Sequence, residues 1–185
     1  VTASRADEIG LWQRILSGAD PTIGSRPLDK RIDVDATVQR IRTSLPVEVT
    51  ERLLTTVPNV FRGSVNDGLL AGLALALTAW RRERGAAVSS ALITLEGHGR
   101  EDAVVPGADL GRTVGWFTTI FPVRLDLGSV DVADALSGGD SAGALIKAVK
   151  EQLVSQLEEI YLGNLHQRHG LKKMRCLRYG DVCGQ

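Results

Sequence analysis

The chain has little cysteine and no net charge. Two of its 185 residues are cysteine, Cys176 and Cys183, and we interpret both as free thiols because no further cysteine completes a disulfide framework or a four-ligand zinc site. Lysine plus arginine and aspartate plus glutamate number 22 each, so the formal net charge is zero. No overall field therefore draws the chain to nucleic acid or to an anionic membrane, and we expect neither as a partner.

Long apolar runs and a secretory signal are also missing. The longest apolar run, residues 69–79, is too short to span a bilayer and is interrupted by Gly72 and Thr78. The first residues do not follow the basic and then apolar layout of a signal peptide. These absences favour a cytoplasmic protein.

The spacing of apolar residues predicts alternating helices and strands. Helices are predicted over residues 8–16, 46–57 and 66–84 and from about Asp140, and strands over residues 34–45, 88–95 and 114–127. We expect the helix over 46–57 to end at Pro58 and the helix over 66–84 to be largely buried against the sheet. Such alternation is typical of an α/β or α+β layer sandwich.

The composition changes after Leu153. Glutamine and basic residues become frequent, and the helical apolar period fades. We therefore divide the chain into a main unit, residues 1–153, and a divergent tail, residues 154–185. His166 and His169 lie one helical turn apart near Cys176, yet no acidic or cysteine ligands follow at zinc-site spacing, so we predict no metal.

Two motifs lie on either side of a short loop. They read Thr94-Leu95-Glu96-Gly97-His98-Gly99-Arg100-Glu101 and Arg112-Thr113-Val114-Gly115-Trp116-Phe117-Thr118, and the second is followed by Pro122-Val123. Over residues 8–153 the chain resembles the epimerization domains of nonribosomal peptide synthetases. These domains invert the alpha carbon of an amino acid held as a thioester on a carrier protein. The resemblance implies one lobe of a chloramphenicol-acetyltransferase-like fold and the C-terminal lobe of such a domain.

Glu96 is the candidate catalytic residue. On spacing alone, a single glutamate at the expected end of a strand is typical of a solvated strand end. Epimerization, however, needs a base and an acid to remove the alpha proton and return it on the other face, and a carboxylate in a partly desolvated cleft can play either part. The resemblance places Glu96 at the glutamate that the family uses in proton transfer, so we predict that Glu96 is catalytic.

The neighbours of Glu96 are expected to support it. Gly97 and Gly99 flank His98 in what the pattern indicates to be a tight turn, and we expect the imidazole to orient backbone or Glu96 rather than act as the base. Arg100 is given a supporting role, since an exposed ion pair with Glu101 contributes little.

The second motif has two compatible interpretations. Trp116 and Phe117 are typical core aromatics. The resemblance implies that they also lie near a tunnel for the 4′-phosphopantetheine arm of a carrier protein, which Gly115 would let approach closely. We therefore expect no directly bound cofactor, and a peptidyl carrier protein as partner.

The family's main catalytic histidine belongs to a His-His-x-x-x-Asp-Gly type motif, and this sequence contains no adjacent pair of histidines. We expect that histidine to come from an N-terminal lobe of the same domain, a second partner, and the chain by itself to be inactive. Two alternatives remain: a condensation-type domain that forms amides, and a non-catalytic remnant or docking module. The sequence of the motifs argues against the first, whereas the absent histidine supports the second.

Overall fold

The described part of this chain consists of a two-stranded antiparallel sheet and six α-helices, together with short 3₁₀ and π-helical turns. In this computed structural model the described residues are 9–98, 109 and 111–169, and for His98 and residues 161–169 the backbone alone is described. β1 (Ser90–His98) pairs with β2 (Thr118–Asp126) along its whole length. The helices are α1 (Ile9–Leu16), α2 (Val47–Glu51), α3 (Val57–Phe61), α4 (Val65–Glu83), α5 (Val132–Leu136) and α6 (Asp140–His169). The predicted α+β layering is confirmed.

The core forms where one face of the sheet meets α4 and α6. Every second residue of β2 points into it, since Phe121, Val123 and Leu125 are buried while the residues between them are not. This alternation is the period of a strand with one buried face. The opposite side of the core is supplied by small residues of α4 and branched residues of α6, namely Ala71, Ala74, Leu145, Val149 and Leu153.

The buried side of α4 differs from the prediction. The helix was expected to bury its leucines, but Leu69, Leu73 and Trp80 are 41% to 50% exposed, whereas Ala71 and Ala74 are fully buried. Small side chains allow the backbone of α4 to approach the sheet and α6 closely, and this close approach turns the larger side chains outward. In α1, similarly, Leu11 and Ile15 are buried, while the apolar residues Ile9 and Leu16 are 54% exposed.

The outer edge of β2 is covered by two glutamines of α6. The side-chain amide of Gln156 accepts from the backbone N–H of Arg124 (2.9 Å) and donates to its carbonyl (2.8 Å). Gln152 makes the same pair of bonds to Asp126, at 2.7 and 2.8 Å. Four residues of helix rise about 6 Å and two residues of strand about 6.8 Å, so the spacing of the two amides matches that of the strand. The glutamines therefore replace a third strand.

Arg124 and Arg81 attach the N-terminal part of the chain to the sheet. The guanidinium of Arg124 lies on the sheet face opposite Val123, where its Nε donates to the carbonyl of Ile15 (2.8 Å) near the end of α1. Arg81 is 5% exposed and donates to the carbonyl of Ser90 (2.8 Å), at the start of β1, and to the carboxylate of Asp20 (2.6 Å). A buried guanidinium needs such partners because desolvation without them is costly.

Polar side chains fix the ends of the helices. Ser64 and Asp67 form a capping box at the start of α4, each side chain bonding the backbone N–H of the other. Lys150 of α6 donates to the carbonyls of Phe61 (2.9 Å) and Arg62 (2.6 Å), the last carbonyls of α3. A cation is favourable at that end of a helix dipole.

Two predicted elements are corrected by the structure. Residues 34–45 were predicted to be a strand, but they contain only a 3₁₀ turn (Asp35–Thr37) and otherwise no regular structure. Among the described residues no strand lies beside them, so the extended pattern has no ladder to join. The helix expected to end at Pro58 instead continues to Phe61 through a π-helical turn, Arg52–Thr56. That turn shifts the hydrogen-bond pattern immediately before a ring that would otherwise clash with the carbonyl four residues earlier.

The C-terminal part of the described chain is one long helix. α5 was not predicted, although Asp131 caps it by accepting from the N–H groups of Ala133 and Asp134. α6 crosses the proposed boundary at Leu153 without a break, and Ile160 is buried beyond it. The division at residue 153 stays a prediction, and residues 170–185, which include both cysteines, lie outside the described residues.

Membrane-spanning potential is limited in the described part of the chain. No single helix there is long and apolar enough to cross a membrane. Two consecutive helical segments, Val47–Phe61 and Val65–Glu83, together have the length and apolar composition of a membrane span, but the chain bends by 102° between them.

We predict that the two glutamines stabilise the fold unequally. Gln156→Ala leaves a part-buried N–H and carbonyl of β2 without partners, so the free energy of unfolding should fall by about 1–3 kcal/mol, and Gln152→Ala, at the exposed end, should cost about 0.5–1.5 kcal/mol. Ser155→Ala, an exposed position between them, is the control and should change stability little. Urea unfolding of the three variants measures this, and equal losses in all three would contradict the edge-covering role.

We also predict an acid-sensitive contact in the loop before α2. Arg26 donates two hydrogen bonds to the carboxylate of Asp33 (2.6 and 2.7 Å), and the backbone N–H of Asp29 donates a third; together they lower the pKa of Asp33 from 3.8 to about 2. Because the folded pKa lies below the unfolded one, the contact stabilises the loop above about pH 4 and is lost as the pH falls towards 2.

Carboxyl NMR titration tests this pKa. Arg26→Ala should return the pKa of Asp33 towards its ordinary value, whereas Arg31→Ala, which removes the partner of Asp29, should leave the low pKa in place. The same shift in both variants would show that the cause is the general charge of the loop rather than the paired hydrogen bonds.

Candidate functional site

Glu96 lies within β1 and not at its end. The strand continues through Gly97 to His98, whose partner in β2 is Thr118. The predicted turn therefore cannot begin at Gly97. The ladder extends because the facing residues Thr118 and Thr119 are β-branched and favour strand, while glycine permits strand geometry without enforcing a turn.

The register places Ile120 directly opposite Glu96. Arg124 and Asp126 direct their backbone groups outward to the glutamines, so by the alternation of an antiparallel ladder Ile120 also lies in a pair without mutual hydrogen bonds. Side chains in such pairs are closer than in the hydrogen-bonded ones, with Cα atoms about 4.5 Å apart. Both side chains project from the face opposite the core, and Glu96 is exposed and Ile120 is 69% exposed.

Among the described residues, that face of the sheet is covered at one end only. Arg124, on the same face, contacts the end of α1, and Ile120 lies four residues earlier in β2, about 13 Å away. The described residues thus leave a carboxylate and an isoleucine exposed next to a covered part of the sheet. Ile120 was missed by the sequence analysis, although its position one residue before the buried Phe121 signals an outward side chain.

The second motif leads into β2 without belonging to it. The strand predicted from Val114 begins at Thr118, after a bend at Gly115. Trp116 is 88% exposed and Val114 is 98% exposed, so Trp116 is not a core aromatic. Phe117 is half-buried, and its ring folds back over Gly115, where an added Cβ would lie 3.4 Å from the ring. The space beside Gly115 is thus filled by the chain itself.

The structure brings together part of the predicted site. The pairing of His98 with Thr118 joins the two motifs at one end of the sheet, so Glu96, Trp116 and Ile120 belong to the same exposed end. The side chain of His98 and all of Gly99 and Arg100 lie outside the described residues, and their supporting roles stay predictions. No group of three His, Cys, Asp or Glu side chains suited to a metal ion occurs in the part that is described.

Comparison with known proteins identifies similar peptide synthetases. Chondramide synthase cmdD of Chondromyces crocatus is 38% identical over 84% of this chain and 4% of its own length. Surfactin synthase subunit 2 of Bacillus subtilis (strain 168) is 38% identical over 69% of this chain and 3% of its own length. Tyrocidine synthase 1 of Brevibacillus parabrevis is 38% identical over 68% and 11%. The chain therefore spans a small fraction of the relatives that it matches.

One solved structure is also similar. The crystal structure of the epimerization domain from the third module of tyrocidine synthetase B is 37% identical, and the match covers 59% of this chain and 22% of that chain with a TM-score of 0.46.

The match to a protein family is the most extensive. It covers residues 4–174, which includes both motifs and crosses the predicted boundary at Leu153. Together with the α+β layering, it supports the expected fold class of one lobe of a chloramphenicol-acetyltransferase-like domain. The chain belongs to the condensation-domain family, the superfamily to which the two motifs assigned it.

Proposed function

We propose that this chain is the C-terminal lobe of an epimerization domain in a cytoplasmic nonribosomal peptide synthetase. Its substrate would be an L-aminoacyl or L-peptidyl thioester on the 4′-phosphopantetheine arm of a peptidyl carrier protein. Removal and return of the alpha proton would give a mixture of L and D forms.

The observation that carries this proposal is the environment of Glu96. Its carboxylate projects from an exposed sheet face, opposite exposed Ile120, and exposed Trp116 lies in the segment that leads into β2 at the same end of the sheet. A group that exchanges a proton with a bound substrate must be reachable, and adjoining apolar surface can exclude water when substrate covers it. A carboxylate buried in the core would meet neither requirement.

The chemistry needs a second group. A proton is removed from one face of the alpha carbon, the thioester delocalises the carbanion as an enolate, and a proton is returned on the other face. Glu96 supplies one acid/base in this proposal, and the histidine of an N-terminal lobe supplies the other. None of the three histidines of this chain stands beside another, so none fits the family's His-His motif.

Two other functions remain as outcomes of the test. A condensation-type domain would join a donor thioester to an acceptor amine, and a docking module would bind a carrier protein without turnover. The appearance of D product from carrier-bound L substrate supports epimerization, amide product supports condensation, and carrier binding without either product supports docking.

We predict that Glu96→Gln abolishes most of the activity. In a version of the domain completed with an N-terminal lobe that carries the His-His motif, this substitution keeps size and hydrogen bonding but removes the acid/base group. Epimerization should fall by about a hundredfold or more. The measurement is deuterium incorporation at the alpha carbon in heavy water, together with the D fraction of product.

Two variants serve as controls. His98→Asn should cost less than Glu96→Gln, and Glu83→Gln, an exposed glutamate at the end of α4, should leave the rate unchanged. A larger loss in His98→Asn would mean that His98 is the acid/base and Glu96 the supporting residue. The 185-residue chain without the other lobe should show no exchange above background.

We further predict that Trp116 reports whether this face is covered. In a Trp12→Phe, Trp80→Phe variant, the remaining Trp116 is 88% exposed, so its emission should be strongly quenched by iodide. Adding the N-terminal lobe or a loaded carrier protein should reduce the quenching if either covers the sheet face. Resistance to iodide in the chain alone would mean that its own residues cover Trp116, which contradicts the exposed site.

A further inference from the structure

Residues 38–45 have the pattern of a strand but no strand beside them in the described part of the chain. Ile41 and Leu45 are 99% and 58% exposed, and the segment has no regular structure. Over residues 40–45 the side chains nevertheless alternate, with Ile41, Thr43 and Leu45 on one side and Arg40 and Arg42 on the other, whereas Val38 falls on the basic side. A strand with one apolar and one basic side, held entirely in water, exposes apolar area that pairing and packing would bury.

The outer edge of β1 is the matching surface. Arg124 and Asp126 direct their backbone groups away from β1, so their partners Leu92 and Ser90 direct theirs away from β2. The bond from Arg81 to the carbonyl of Ser90 agrees with this direction. By the same alternation the backbone groups of Thr94 and Glu96 face the outer edge. Among the described residues no strand pairs with that edge, whereas α6 closes the edge of β2.

The path of the chain carries residues 38–45 alongside β1. The segment before them is fixed at the start of β1, because Arg81 binds both Asp20 and Ser90 and the indole of Trp80 donates to the carbonyl of Ile23 (3.3 Å). The helix that follows them packs near the opposite end of α4, where Leu53 and Val57 line Gly68. Since α4 returns to the start of β1, residues 38–45 run in the same direction as β1.

The connection has the form of a strand-helix-strand unit. Parallel strands need a crossover of at least about a dozen residues, usually helical, and residues 47–83 supply one in α2, α3 and α4. In such a unit the strand would continue the layers of the sheet. Its apolar side would extend the buried face formed by Ile93 and Leu95, and its basic side would join the face that carries Glu96.

We propose that residues 38–45 are a strap that closes on the outer edge of β1 as a third, parallel strand, and that the structure shows the strap open. Closure brings Arg40 and Arg42 to the same sheet face as the carboxylate of Glu96. The proposal rests on the fold alone and holds whether or not the domain epimerizes its substrate.

Amide hydrogen exchange of the 185-residue chain tests the strap. The amides of Leu92 and Thr94 face the outer edge, so in the closed state they should exchange at least about tenfold more slowly than in an unstructured peptide. Ile41→Pro removes a backbone donor and should abolish this protection. The amide of Ile93, which faces β2, should stay protected and shows that the sheet remains folded. Free exchange at Thr94 in the unmodified chain, or protection that survives Ile41→Pro, would overturn the proposal.

A disulfide identifies what occupies the edge. In a Cys176→Ser, Cys183→Ser background, Arg42→Cys should cross-link with either Leu92→Cys or Thr94→Cys within one chain, because adjacent strands are about 4.8 Å apart. Leu28→Cys, an equally exposed position outside the strap, is the control and should not cross-link with either. Cross-links found only between two chains would assign the edge to a second copy and overturn closure within the chain.

Discussion

Closure of one sheet edge by the amides of Gln152 and Gln156 is the constraint on which the rest of the arrangement depends. A strand edge in contact with a helix would normally leave N–H and carbonyl groups without partners, and each such group is costly when water is excluded. The two glutamines remove that cost at Arg124 and Asp126. The next outward residue of β2 is Pro122, which has no N–H, and the next position of α6 is the apolar Ile160. Polar side chains of α6 therefore face the strand residues that have an N–H group, and an apolar side chain follows at the position of the proline.

This constraint determines which surfaces remain for function. With α6 along the edge of β2 and with α4 and α6 on the core face, the described part of the chain leaves the sheet one outer edge and one partly covered face. Arg124 secures α1 on that face at the far end from Ile120. The remaining end carries Glu96, Ile120 and, through the connecting segment, Trp116. The candidate site therefore lies on the part of the sheet that no described helix covers.

The sequence predicted the elements with strong local signals. The helical pattern before Gly18, the helix predicted over residues 66–84 and the alternation of Val123, Leu125 and Leu127 correspond to the structure, in which that helix begins at Val65 with Ser64 as its cap. The predictions are wrong where tertiary packing, rather than the local sequence, determines the structure. Alanine spacing in α4 outweighs its leucines because close approach of the backbone determines which side is buried, and residues 34–45 have strand periodicity without a neighbour in the described sheet.

The geometry around the candidate site could not be read from the sequence. The motif around Glu96 assigns the chain to its superfamily, and the family match agrees with that assignment, whereas the catalytic role of Glu96 stays a prediction. Its position within the strand depends on the register, which is set by Thr118 and Thr119 on a segment more than twenty residues away in sequence. The same register brings Ile120 opposite Glu96. No motif containing Glu96 alone could have predicted that neighbour.

In the proposed function, the exposed carboxylate of Glu96 is only half of a proton-transfer site. In water a glutamate is a weak base, and an acid/base that acts near neutral pH generally gains its strength from partial desolvation. Ile120 lies opposite Glu96 and is itself 69% exposed, so it does not enclose the carboxylate. In the proposed function, the N-terminal lobe must therefore supply the second proton-transfer group, and whatever covers this face must exclude water. The chain contributes a rigidly registered carboxylate, and its reactivity depends on what closes over it.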